Sequence, residues 1–138
     1  MAVYAAINHK ITINGTDFSS SLQSVSLDLS ADEIETTAFG STWRTRVQGL
    51  KSGSVTLNFY QDFGASSVDS TLSTLFNNAT PYATVVVTPT SSTVSATNPA
   101  WTAVCLVSQY QPYSASVGDI ATLSVTWMTN GTVTRATA

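Results

Sequence analysis

Charge is the scarcest property of this sequence: Asp, Glu, Lys and Arg make up 9% of 138 residues, where about a quarter is usual for a globular chain. Eight acids against five cations give a formal net charge of −3. That balance excludes the dense Lys/Arg footprint with which a protein grips phosphates. A single cysteine, Cys105, excludes an internal disulfide. Its setting, Trp101-Thr-Ala-Val-Cys-Leu-Val107, reads as that of a small buried hydrophobe. The only histidine, His9, would have to serve any Ser/His/acid triad, yet the sequence has no Gly-x-Ser-x-Gly turn to present a nucleophile. It reads as an exposed residue at a strand end. No zinc ligand set and no Gly-rich phosphate loop is present, so no metal, no cofactor and no catalytic activity is expected. The longest aliphatic run, Val85-Val86-Val87, is far too short to span a bilayer. Met1 to Lys10 lacks the basic region and apolar stretch of a signal peptide, so export by that route is not expected, and with so short an aliphatic run no membrane partner is expected either.

Hydroxyls stand where the charges are missing. The chain holds 20 Ser and 22 Thr, and Thr joins Val, Ile and the aromatics in suiting a pleated, half-buried surface. A chain of this length supports one core and one domain, 1–138. Three segments alternate strictly. Val25, Leu27 and Leu29 lie on one parity, against Ser24, Ser26 and Asp28 on the other; Val55, Leu57 and Phe59 oppose Ser54, Thr56 and Asn58; Leu123, Val125 and Trp127 form a third apolar set. Tyr82 to Thr88 and Trp101 to Ser108 carry apolar residues on both parities, the pattern of strands covered on both faces. Asn14-Gly15 and Asn130-Gly131 are type I′ hairpin signals.

Between Ser67 and Asn78 the period changes. Val68, Leu72, Leu75 and Phe76 form the apolar stripe of an amphipathic helix, with Ser66 and Asp69 as an expected capping box and Asn77-Asn78 before Pro81 as the stop. The expected fold is therefore mainly β, a sandwich or barrel-like subunit with one short flanking helix at about 67–78. Pro89 to Pro99 reads as a loop, and residues 31–49 read as a long projecting one. Asp32 to Thr37 extends the preceding strand on one version of that reading, leaving Ala38 to Gly49 to project. Asp32, Glu33 and Glu35 form the one acidic cluster but lack the spacing of a calcium loop. Phe39, Trp43, Arg44 and Arg46 belong to the residue types enriched at interface hot spots. A contact between subunits is expected here, the acidic edge meeting the basic loop of a neighbouring copy; the alternative is that Trp43 folds back over its own core.

The segment Glu35-Thr-Thr-Ala-Phe-Gly-Ser-Thr-Trp-Arg-Thr-Arg46, followed by Gly49-Leu50, a strand and Asp62, resembles the corresponding part of siphophage tail tube proteins. Asn98-Pro-Ala-Trp101, Leu106-Val-Ser-Gln-Tyr110, Pro112, Val117-Gly-Asp119 and Val133 to Ala138 extend the resemblance over most of the chain. It implies a structural subunit of a virion tail, assembled in the host cytoplasm as hexameric rings stacked head to tail. About four strands per subunit would line an inner barrel. The implied partners are other copies, further tail proteins at the tube ends, and double-stranded DNA as a cargo that does not stick. On that reading Ser24, Ser26, Asp28, Ser54, Thr56 and Asn58 face the lumen. The alternatives are a phage head decoration protein or adhesin-like binding module, and an Hcp-like ring protein.

Overall fold

The computed structural model describes residues 4–138; what the sequence suggests for Met1 to Val3 lies outside the described residues. In chain order the elements are β1 (Lys10–Ile13), β2 (Thr16–Asp17), a 3-10 turn (Ser19–Ser21), β3 (Leu22–Glu35), β4 (Arg46–Tyr60), α1 (Val68–Phe76), β5 (Tyr82–Thr88), β6 (Ala100–Leu106), β7 (Thr122–Met128) and β8 (Thr134–Ala136). They form two antiparallel sheets, β2-β1-β5-β6-β8 and β3-β4-β7, with no closed barrel. The polar alternation is carried by the three strands of the smaller sheet. No helix among the described residues is long and apolar enough to cross a membrane.

The core forms where the inward parities of the two sheets meet. Ile11, Ile13, Ala83, Val85, Ala103 and Cys105 come from the larger sheet, and Val55, Leu57, Phe59, Leu123, Val125 and Trp127 from the smaller. Phe18 meets Phe59 edge to face with ring centroids 6.2 Å apart, a favoured aromatic arrangement. The Trp127 ring is fully buried, and its Nε1–H donates to the Gln109 carbonyl at 3.0 Å, which removes the cost of an unpaired buried donor.

Asn14 and Gly15 take φ values of 51° and 86° and close the β1–β2 hairpin, as a type I′ turn requires. Asn130-Gly131 is not a hairpin turn. Only Gly131 has positive φ, and the chain there crosses from β7 in one sheet to β8 in the other. β5 and β6 are covered fully on one face only, because Tyr82 and Thr84 on the outward parity stay exposed. His9 is half-buried just before β1, its Nε2 2.8 Å from the Tyr4 hydroxyl and its buried Nδ1 without a partner.

Val68, Leu72 and Leu75 pack α1 into the core, whereas Phe76 is 44% exposed and does not belong to it. Helical geometry explains the difference. At roughly 100° per residue, Phe76 lies about 70° around the helix from the mean direction of the other three. Ser67, not Ser66, is the N-cap, and it makes no side-chain cap bond. The first turn is tied instead by the Asp69 N–H donating to the Asp62 carbonyl at 3.1 Å, and the Tyr110 hydroxyl donates to the Asp69 carboxylate. In the loop after β5, buried Asn98 acts as an internal clasp. Its Oδ1 accepts the Thr90 N–H at 3.0 Å and its Nδ2 donates to the Ser92 carbonyl at 2.9 Å.

Leu72→Ala should cost about 2 to 5 kcal/mol in urea unfolding, and Phe76→Ala should cost clearly less, since its ring keeps much of its contact with water. Asn98→Ala should cost about 1 to 3 kcal/mol by leaving the Thr90 amide unpaired. Burial pushes the Cys105 thiol from 9.0 up to about 11; burial, and then the bond to Asp69, push Tyr110 up to about 12. The fold holds both groups neutral, so the stability this lends is complete below their unfolded values and is lost as pH rises through the folded ones. Unfolding free energy should fall as pH rises from about 9 to about 11, and Cys105→Ala should flatten the lower part of that fall. Urea titrations across this range check it.

Candidate functional site

The register of the three-stranded sheet builds the polar face rung by rung. Ser24 pairs Asn58, which pairs Ser124; Ser26, Thr56 and Thr126 form the next rung; Asp28, Ser54 and Met128 the third. These nine positions share one face because side chains in a strand alternate with period two. The rungs between them, Val25-Leu57-Val125 and Leu27-Val55-Trp127, point into the sandwich. All six residues that the alternation assigned to one surface are thus brought together. Ser124 and Thr126, on the polar parity of the third alternating segment, complete it together with Met128.

The face binds itself into a lattice of short polar contacts. Asn58 Nδ2 donates to Ser24 Oγ at 2.6 Å, Ser26 Oγ donates to the Asp28 carboxylate at 3.0 Å, and the Thr56 and Thr126 hydroxyls stand 3.3 Å apart. Ser30 and Ser52 continue it towards the arm, their hydroxyls 3.3 Å apart. None of the nine positions is Lys, Arg or His, and the one charge is the carboxylate of Asp28. Among the described residues, no group of three or more His, Cys, Asp and Glu is placed to hold a metal ion.

Beyond Gly53 the outer parts of β3 and β4 continue without β7 as a two-stranded ribbon. Residues 31–49 do project, but as an antiparallel arm; only the tip, residues 36–45, lies outside the strands. Eight residues of β4 from Arg46 to Gly53 carry the arm on the order of 25 Å from the sandwich. A bulge between Ala31 and Glu33 shifts the pairing, and Gly49 sits at it. A Cβ there would lie 3.0 Å from both Asp32 Cβ and Ile34 Cδ1, so a side chain would force those neighbours to give by a few tenths of an ångström.

The tip is ordered by its threonines. The Thr36 N–H donates to the Thr45 carbonyl at 2.8 Å, and the Thr45 N–H donates to Thr37 Oγ1 at 3.0 Å. A turn closed by the Ser41 N–H on the Ala38 carbonyl at 3.3 Å places Gly40 at φ 88°, the third-position conformation of a type II turn. That geometry sets Phe39 at the apex, fully exposed, while Trp43 is 85% exposed. Trp43 therefore does not fold back over its own core.

Four of the arm's charges are paired within the arm. Arg44 lies 3.5 Å from Glu35, and Arg46 lies 3.9 Å from Glu33, with all four side chains largely in water. The acidic edge and basic strand expected to meet between copies already meet across one hairpin, because Glu35 pairs with Arg46 in the β3–β4 register. Asp32 joins neither bridge and lies beside Gly49. What the tip presents outward is consequently apolar, Phe39 and Trp43, with Leu50 exposed and Ile34 and Val47 half-exposed on the ribbon.

No family model and no curated protein matches this chain. Solved structures do. The chain superimposes on one from the virion of a native gene transfer agent particle with a TM-score of 0.73 at 14% identity, over 97% of this chain and 99% of that one. A chain from the sheath–tube complex of an extracellular contractile injection system in its extended state gives 0.69 at 14% identity, over 99% and 93%. A chain from the tail of an empty gene transfer agent particle, solved with C6 symmetry, gives 0.61 at 14% identity, over 95% of each. The fold is thus shared with chains of a gene transfer agent virion, a gene transfer agent tail and a contractile sheath–tube complex.

Exposed surface ion pairs are worth about 1 kcal/mol or less. The double variant Glu33→Gln/Glu35→Gln should therefore shift the unfolding free energy by no more than about 1 kcal/mol, with the shift shrinking further in high salt. Parallel melts at low and high ionic strength test this.

Proposed function

We propose that this chain is the major tube subunit of a long-tailed phage or phage-like particle, working as repeated copies in hexameric rings that stack into a hollow, DNA-conducting tube. The observation that carries the reading is the β3-β4-β7 sheet, one face sealed by the core and the other presenting hydroxyls, an amide, one carboxylate and one thioether with no cation. Duplex DNA is held by proteins that neutralise its phosphates and release counterions. A wall built from Ser24, Ser26, Asp28, Ser54, Thr56 and Asn58 provides no such groups, so DNA passes without sticking.

The scale agrees. Three strands from each of six copies make roughly 18 strands; at ~4.8 Å spacing and a tilt of ~40° they give a backbone diameter of roughly 36 Å. Closure across copies would also cover the open edges of β3 and β7, which a lone sandwich leaves available for pairing. The arm, with Asp32, Glu33, Glu35, Phe39, Trp43, Arg44 and Arg46, supplies the contact between copies, its aromatics as anchors and its cis ion pairs as the brace that holds the ribbon extended. Other tail proteins cap the ends. The likeness to the sheath–tube chain favours a second reading, the inner tube of a contractile injection system; association with a sheath protein would distinguish it.

Ser26→Lys/Thr56→Lys should leave the fold and tube intact and slow DNA ejection from reconstituted particles, more strongly at low salt than at high. Normal ejection by such particles would show that this face does not line the conduit.

A further inference from the structure

At the end of β4 away from the arm, the segment between β6 and β7 folds over the strand terminus. Gln61 Nε2 donates to the Pro112 carbonyl at 2.7 Å, and the Gln61 N–H donates to the Ala121 carbonyl at 3.0 Å. The segment leaves four large apolar groups exposed: Phe63, Tyr113, Val117 and Ile120. Phe63 and Tyr113 stand side by side with ring centroids 5.6 Å apart. Next to them is an open cleft of about 540 Å³ whose lining includes Tyr113, Ser116, Asp119, Ile120 and Thr122. Among the described residues, nothing in a single copy fills or covers it.

Resting on the tube reading, we propose that this cleft receives the arm tip of the next copy along the stack, with Trp43 seated against Tyr113 and Ile120. Two observations select a second copy as the occupant, and charge permits it. The tip and the cleft lie at opposite ends of the same hairpin strand, so one repeated translation brings every tip to a cleft, the heterologous contact from which open-ended assemblies are built. Charge does not oppose the contact: the arm's three cations, Arg44, Arg46 and Lys51, are balanced by its three acids, Asp32, Glu33 and Glu35, so a neutral, apolar tip meets a far end that carries Asp62, Asp69 and Asp119 and, among residues 60–63 and 107–122, no cation. The chemistry is matched group to group. Trp43 brings a flat apolar ring with one N–H donor, and the cleft provides an aromatic and an aliphatic wall with the Asp119 carboxylate as acceptor.

The double variant Ser41→Cys/Val117→Cys keeps Trp43 and places one thiol on the tip and one on the exposed Val117 beside the cleft. The native Cys105 is fully buried and contributes no background. Mild oxidation of assembled tubes should give a reductant-sensitive ladder of dimers and higher multimers, absent from either single variant. Ile120→Asp, with an unchanged melting temperature, should abolish tube formation by folded protein. Tubes that form normally yet show no ladder, or that tolerate Ile120→Asp, would overturn the cleft as the receiving site while leaving the tube reading intact. Unmodified protein that forms neither rings nor tubes would overturn the tube reading and this inference with it.

Discussion

The cross-strand register of β3, β4 and β7 is the constraint on which the rest depends. Pairing Ser26 with Thr56 and Thr56 with Thr126 obliges Val25, Leu57 and Val125 to share the opposite face, and a slip by one residue would exchange the two sets. Such a slip would bury hydroxyls against Trp127 and expose the core, so burial fixes the register strongly. The same register that stabilises the monomer therefore writes the composition of its outer surface. No separate device is needed to keep cations off that face; positioning three Ser/Thr-rich strands in phase is sufficient.

Continuation of two of these strands past the third gives the molecule its second feature. Where β7 stops, β3 and β4 lose the core that holds them flat, and the ribbon has to be maintained by its own bonds. Threonine hydrogen bonds at the tip, the glycine at the bulge and two cis ion pairs fulfil that role. Isolated two-stranded ribbons are marginal in water, and surface ion pairs add little. An arm that is modestly stable alone has the most to gain from a partner, as the proposed contact between copies requires. Compensating Arg44 and Arg46 within the arm also leaves Phe39 and Trp43 as the groups with most to gain from contact.

Period-two alternation made the polar face legible from sequence, because Ser-Val-Ser-Leu-Asp-Leu and Val-Thr-Leu-Asn-Phe separate cleanly into two faces only when the chain is extended. The type I′ turn at Asn14-Gly15 was legible for the same reason, a local rule with a steric cause. What could not be read was tertiary. Asn130-Gly131 has the same dipeptide, but the chain there changes sheet, so no hairpin forms. Phe76 obeys the spacing of the helix stripe yet falls at its margin and at the last turn, where core contact ends. The far-end cleft carries no periodic signal at all; it arises from an irregular segment folded over Gln61. The ion pairs of the arm follow from a strand pairing that extends further than the composition of residues 31–49 suggested.

In the proposed tube, one face of one sheet decides what the assembly encloses. Cryo-electron microscopy of tubes grown from the purified chain tests it most directly. The expected result is a hollow tube of sixfold rings in which Ser26, Thr56 and Thr126 line the bore and the β2-β1-β5-β6-β8 sheet lies outside. A tube with these three residues on its outer wall, or one whose bore is lined by the larger sheet, would contradict it.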